Sequence, residues 1–303
     1  MRSHTCRRYL VIVGCLVSSF AVPAGADGQG KTLRIASVSI FPEKWNKDAN
    51  AAKIEKFVRD AASQEARLVI TPEGVLEGYV VNEVIREKNP AKKALLIERF
   101  QQVAEPIDGP HIKRFADLAN ELKIHLILGF LESVADGERT YNTAALFGPD
   151  GNLIGKYRKT HFAQGYQVNP PGYEPGNRYP VFDIGALKVG MIICFDRQPP
   201  EPARQLALQG ADLIACPSYG SWGEWNTNLM RVRAYENHTY VVFTHPEQSL
   251  IIDRGGNVVA NGSKDSVTIH DIDITELRKT RASIVNRRPE TYGHDSQPDG
   301  GAP

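Results

Sequence analysis

The sequence predicts an α/β layered fold, and three observations predict it. Apolar runs with the two-residue alternation of strands take turns with stretches whose apolar residues recur at helical intervals. Turn-forming clusters, among them Gly148-Pro149-Asp150-Gly151 and Arg254-Gly255-Gly256-Asn257, sit between neighbouring strand runs. The chain has 303 residues, 42% of them hydrophobic, which is enough to bury a large core. No Pro/Gly/Ser linker and no repeat of about 20 to 50 residues divides it, so a single domain is expected over residues 27–303.

The elements follow in order. Leu33 to Ile40 alternates as a strand, Ala49 to Ser63 spaces Ala, Ile, Phe and Val as a helix does, and Ala66 to Thr71 is a buried strand by its Leu-Val-Ile run. Asn82 to Glu105 is charged and reads as an excursion from the layered core. His111 to Lys123 is an amphipathic helix leading into a strand at Ile124 to Phe130. Tyr141 to Phe147 and Leu153 to Tyr157 form a hairpin. Leu187 to Ile193 is a strand, Glu201 to Gln209 a helix, Ala211 to Cys216 a strand, Leu229 to Asn237 a helix and Thr239 to Thr244 a strand. Leu250 to Asp253 and Val258 to Ala260 close the series as an antiparallel pair.

Lys plus Arg number 36 against 35 acids, and neither sign forms a block. A nucleic-acid track is excluded on that pattern, and a small molecule is the expected partner. Residues 1–26 stand apart from the fold. Arg2, Arg7 and Arg8 form a basic leader, Tyr9 to Val22 is mostly apolar, and Ala24-Gly25-Ala26 offers small residues for cleavage, the pattern of an export signal. The apolar stretch is shorter than the ~20 residues of a membrane span, so no stable membrane insertion is expected after cleavage. Ile12-Val13-Gly14-Cys15 also resembles a lipobox, which leaves lipoprotein anchoring at Cys15 as the alternative. Cleavage after Ala26 leaves Cys194 and Cys216, too few for a disulfide scaffold.

The usual zinc and serine-hydrolase signals, HExxH, CxxC and Gly-x-Ser-x-Gly, are absent, and Gly155-Lys156 lacks the spacing of a phosphate-binding loop. The eight His are scattered without ligand spacing. Neither a metal nor another cofactor is expected.

Three polar residues instead stand where apolar strands finish, the place where α/β sheets gather their sites. Val189-Gly190-Met191-Ile192-Ile193 runs into Cys194, Glu73 closes the strand through Leu68-Val69-Ile70, and Lys159 closes the strand begun at Leu153. At such an elbow a Cys would be exposed beside backbone N–H groups. A thiol, a carboxylate and an ammonium suffice for acyl transfer: the carboxylate takes the thiol proton and returns it to the leaving amine, the thiolate attacks, and the ammonium stabilises the tetrahedral oxyanion.

Leu68-Val-Ile-Thr-Pro-Glu73-Gly-Val-Leu-Glu-Gly78-Tyr79, Lys156-Tyr-Arg-Lys159-Thr-His161-Phe, and Ile193-Cys194-Phe-Asp196-Arg197 with Pro200-Glu201 and Arg204 resemble the three catalytic-motif regions of the nitrilase superfamily. The likeness continues through Gly210 to Ser218 and Arg233 to Asn237 to Arg287-Arg288-Pro289. It implies a four-layer α-β-β-α sandwich, a catalytic Glu73-Lys159-Cys194 triad, a thioester intermediate, and a homodimer or larger assembly. True nitrilases usually carry Trp-Glu after the nucleophile. Cys194-Phe195-Asp196-Arg197 is more similar to the amidase and N-carbamoyl amidohydrolase branches, so the resemblance implies an amide or ureido substrate and release of ammonia. Two places depart from the family pattern. The stretch Val168-Asn169-Pro170-Pro171 lacks the second glutamate that many relatives carry, and His245 stands where relatives often have Asn.

Around this triad Phe195, Ser218 and Trp222 are candidates for oxyanion or substrate contacts. Trp222 and Trp225 either wall the pocket or pack on a neighbouring subunit. Glu77 competes with Glu73 and could instead pair with a base on the surface. Lys156 and Arg158 read as solvated or substrate-facing charges, and Cys216 as core. A catalytically silent scaffold of the same fold and a nitrilase acting on nitriles are the competing readings.

Overall fold

The computed structural model describes residues 32–134, 137–221, 223–277 and 281–292. The predicted export segment 1–26 and Trp222 lie outside the described residues. The described residues belong to one compact unit, and their strands form two sheets.

The chain runs β1 (Thr32–Ser39), α1 (Lys47–Ser63), β2 (Leu68–Ile70), α2 (Val81–Arg86), α3 (Pro90–Val103), β3 (Glu105–Pro106), α4 (Pro110–Leu122), β4 (His125–Ser133), β5 (Thr140–Phe147), β6 (Leu153–Arg158), β7 (Val181–Asp183), β8 (Lys188–Met191), α5 (Glu201–Leu208), β9 (Leu213–Pro217), α6 (Glu224–Asn237), β10 (Tyr240–His245), β11 (Gln248–Ile252), β12 (Val258–Ser263) and β13 (Ser266–Asp273). The first sheet has the order β13-β1-β2-β4-β5-β6, with β3 beside β4. The second has the order β12-β11-β10-β9-β8-β7.

Alternation along the strands sorts side chains into layers. In β1, Ile35 enters the core between the sheets, while Ala36 and Val38 join a second core under α1 and α4. In β9, Leu213 and Ala215 face the first sheet, and Ile214 and Cys216 join a third core under α5 and α6. Helix, sheet, sheet and helix therefore stack as a four-layer α-β-β-α sandwich, and strands buried on both faces explain the near-continuous apolar runs of the sequence. The inter-sheet layer is polar at one end, where Ser37 Oγ donates to Ser249 Oγ (2.8 Å) and shares a 2.6 Å hydrogen bond with Thr244 Oγ1. These hydroxyls satisfy one another out of reach of water.

Several features differ from the sequence expectation, the short strands β3 and β7 among them. The charged excursion contains α2 and α3: Asn89 caps α3 by accepting from Lys92 N (3.1 Å), and Pro90 begins its first turn. The inward face of this excursion is narrow, with Val84 and Phe100 packing on Leu131, Phe162 and Tyr173, so the charged outer face hides the period. Strand β13, absent from the expectation, pairs antiparallel with β1 from Thr32↔Asp273 to Ser39↔Ser266. Its Thr268, His270 and Asp271 mask the strand pattern. Among the described residues no helix is long and apolar enough to cross a membrane.

Candidate active site

Beyond β2 the chain turns through Pro72 to Glu73. The turn lies so close to β4 that a Cβ on Gly129 would come 2.1 Å from the Pro72 carbonyl oxygen, so this contact requires glycine. Thr71 Oγ1 accepts from Gly129 N (3.0 Å) and locks the same approach.

Glu73 is fully buried. Its Oε1 accepts from Lys159 Nζ (2.6 Å) and from Asn142 Nδ2 (2.8 Å), and its Oε2 accepts from the Tyr219 backbone N–H (2.8 Å). Asn142 comes from β5, and Lys159 follows β6 with its N–H on the Asn142 carbonyl (2.9 Å). Burial works against the charge of Lys159, but Glu73, together with Tyr79, Cys194 and Tyr173, outweighs it and holds the lysine pKa well above its ordinary value. The ammonium is therefore present throughout the neutral range.

Phenols surround this pair. The Tyr79 and Tyr219 rings stack with centroids 4.4 Å apart, and Lys159 Nζ lies 6.0 Å from the Tyr79 centroid. Burial, reinforced by the charge of Glu73, pushes the Tyr79 phenol well above its usual pKa. Burial likewise raises Tyr173, with Lys159 opposing. Both hydroxyls stay neutral beside the ion pair.

After β8, Ile192 and Ile193 lead to Cys194, which opens a single 3-10 turn, Cys194–Arg197, in a left-handed backbone conformation with φ 49°. Such a conformation costs a non-glycine residue on the order of 1–3 kcal/mol and persists only where its surroundings enforce it. Here Asp196 enforces it. Its buried carboxylate accepts from Ile193 N (2.9 Å), Tyr157 OH (2.7 Å), Thr160 Oγ1 (2.9 Å) and His161 N (2.8 Å). The elbow of Cys194 and the loop after Lys159 are thereby tied to one side chain.

Arg197 is also fully buried. It donates through Nη1 to Cys194 Sγ (3.4 Å), through Nε to Asn226 Oδ1 (2.7 Å) and through Nη2 to the Gly220 carbonyl (2.8 Å). A Cβ on Gly220 would stand 3.7 Å from Cys194 Sγ. The Tyr219-Gly220 segment thus lies against both Glu73, which holds Lys159, and Cys194, and so brings the three groups to one site. The expectation of an exposed thiol needs correction, because Cys194 is only 6% exposed. The Gly220 segment and Arg197 close over it.

The other sequence candidates have the following surroundings. Glu77 does not pair with a base on the surface: it is buried, its Oε2 accepts from Leu131 N (2.9 Å), and burial, then the charge of Glu73, pushes its pKa up to about 8. Ser218 Oγ donates to the Cys216 carbonyl (3.1 Å), and it is the neighbouring Tyr219 N–H that reaches Glu73. Phe195 is half-buried in the 3-10 turn, its carbonyl accepting from Gln198 N (2.9 Å). Trp225 is 80% exposed on α6. Lys156 and Arg158 engage the buried Glu132. Cys216 is core, its pKa pushed up to about 12 by burial. His245 pairs through Nε2 with the Tyr219 carbonyl (2.6 Å) and accepts from Glu247 N at Nδ1 (3.1 Å), and burial lowers its pKa, so it supports this segment as a neutral ring.

Sequence reasoning missed Asn142, Arg197 and Tyr219 as neighbours of Glu73 and Cys194. Asn142 gave no strand-end signal because it lies inside β5, and the Tyr219 contact is made by backbone.

Residues 34–282 match the carbon-nitrogen hydrolase family model. A protein of Pyrococcus abyssi named nitrilase is 33% identical over 86% of this chain and 99% of its own length. The human omega-amidase NIT2 is 29% identical over 78% of this chain and 88% of its own. Among solved structures, Saccharomyces cerevisiae Nit3 superposes with a TM-score of 0.67 at 23% identity, covering 86% of this chain and 97% of that one. A mutant amidase from Nesterenkonia sp. AN1 in complex with acrylamide gives 0.68 at 20% identity, covering 86% and 96%. In another mutant of that amidase the acetamide moiety of fluoroacetamide is bonded to the active-site cysteine. The chain belongs to the nitrilase superfamily of carbon-nitrogen hydrolases.

Proposed function

We propose that this hydrolase cleaves the carbon-nitrogen bond of a small primary amide or N-carbamoyl compound through a thioester on Cys194, releasing ammonia. The observation that carries the reading is the buried contact of Lys159 with Glu73 (2.6 Å), next to a thiol held in a left-handed elbow. Glu73 takes the Cys194 proton and the sulfur attacks the carbonyl carbon. Lys159 lies against Glu73, placed to stabilise the oxygen that becomes negative. Collapse of the tetrahedral adduct breaks the carbon-nitrogen bond as Glu73 hands its proton to the leaving nitrogen. Water, deprotonated by the same carboxylate, then cleaves the thioester.

Amides are preferred over nitriles because Phe195-Asp196 follows the nucleophile, and the omega-amidase relatives support this choice. The nitrilase of Pyrococcus abyssi favours the second reading, hydrolysis of nitriles. A panel of primary amides, N-carbamoyl amino compounds and nitriles assayed for ammonia separates the two. Turnover of amides or carbamoyl compounds supports the proposal, and turnover of nitriles alone overturns it.

A further inference from the structure

A cleft of about 540 Å³ opens at the edge of the first sheet, lined by β6 and by the segment 175–182 that leads into β7. Neither Glu73, Lys159 nor Cys194 lines it. Its lining includes Lys156, Arg158 and Arg178, with Arg139 as a fourth cation, and no acidic residue.

The carboxylate beneath these cations is Glu132, buried and already engaged. It accepts from Arg158 Nε (2.8 Å), Arg158 Nη2 (2.9 Å), the Thr143 hydroxyl (2.8 Å) and Lys156. Arg158 is thus fixed by a two-point contact, and its guanidinium also stacks 3.7 Å from the Tyr141 centroid. Among the described residues its Nη1 makes no hydrogen bond, and Arg178, which is exposed, makes no ion pair. Counting Lys156, Arg158 and Arg178 against Glu132 leaves two positive charges in excess.

The walls are preformed. A Cβ on Gly155 would lie 2.1 Å from Phe182 Cε1, and one on Gly176 would lie 2.2 Å from the Arg158 carbonyl oxygen. The Phe182 ring on Gly155 and the Gly176 backbone on the Arg158 carbonyl thus pack β6 closely against the 175–182 segment. A fixed guanidinium, an ammonium and a free arginine around an open cleft form a receptor for an anion of more than one charge, since guanidinium matches carboxylate and phosphate in two-point contacts. The volume falls within the range of small-molecule sites.

We infer that this cleft binds a small anion carrying at least two negative charges, as phosphate or carboxylate groups, held by Arg178, Arg158 and Lys156. Calorimetry on the full chain at constant ionic strength, with inorganic phosphate and, in a separate arm, citrate, tests it. One saturable site per chain is expected in at least one arm, and the arm that responds tells phosphate from polycarboxylate recognition. Arg178→Gln should weaken that binding roughly tenfold, while Lys92→Gln, exposed on α3, should leave it unchanged. Absence of saturable heat in both arms overturns the inference, as does an affinity that Arg178→Gln leaves intact or that both variants weaken equally.

Discussion

Lys159 Nζ and Glu73 Oε1 meet at 2.6 Å with their side chains 4% and 0% exposed. Removing one member of a buried ion pair strands the other charge and costs on the order of 3–5 kcal/mol. Glu73→Gln should therefore lose activity by about 10²–10⁴-fold as the proton carrier disappears, and the melting temperature should fall with it. Lys159→Met should behave alike, with an activity loss on the order of 10²–10³-fold. The double variant should regain stability without regaining activity. Denaturant unfolding of all four proteins checks this, and additive stability losses would show that the two charges are not coupled.

Asp196 acts on Cys194 through the backbone. Asn at this position would turn an amide N–H₂ towards donors that now converge on a carboxylate, from Ile193, Tyr157, Thr160 and His161. Stranding buried donors costs roughly 1–3 kcal/mol. Asp196→Asn should also slow alkylation of Cys194, because the left-handed elbow loses its anchor. Unaltered alkylation kinetics in a destabilised variant would make Asp196 a structural residue alone.

Glu77 gives stability a pH dependence. Its pKa is raised from 4.5 to about 8 in the folded chain, so folding retains a proton that the unfolded chain releases. The stability this provides is complete below pH 4.5 and is lost progressively as pH rises to about 8. At about 1.4 kcal/mol for each pH unit of that interval, the full loss is on the order of 5 kcal/mol. Unfolding free energy of Glu77→Gln relative to the parent should rise across that interval and level off above it. A flat difference between about pH 4 and 9 would contradict the linkage between this buried carboxyl and folding.

For the N-terminal segment the expected outcome is cleavage after Ala26. Sequencing the mature protein should give Asp27 first. A lipid-modified Cys15 would instead identify a lipoprotein, and an intact Met1 would exclude both forms.

Much of this architecture is legible in the sequence, for a physical reason. Strands such as β2 and β9 are buried on both faces, and their apolar runs end abruptly at the polar residues Glu73 and Ser218. Strand β13 is illegible because its register against β1 is set by backbone pairing between residues such as Arg34 and Asp271, 237 positions apart, while its own side chains alternate poorly. The same limit holds at the site. Cys194, Glu73 and Lys159 announce themselves as charged or nucleophilic groups at strand ends. Asn142 inside β5, the Tyr219 N–H, and the fork of Arg197 between Cys194 and Gly220 follow from tertiary geometry.

The most direct test of the central claim is mass-resolved alkylation of the two thiols in the folded chain with iodoacetamide, paired with ammonia release. Cys194 sits beside Arg197, whereas Cys216 is fully buried with its pKa pushed up to about 12. Cys194 should be labelled well before Cys216, ammonia release should fall in step with that labelling, and Cys194→Ala should fold normally without turnover. Labelling of Cys216 first, or ammonia release that persists once Cys194 is fully alkylated, would contradict a nucleophilic role for Cys194.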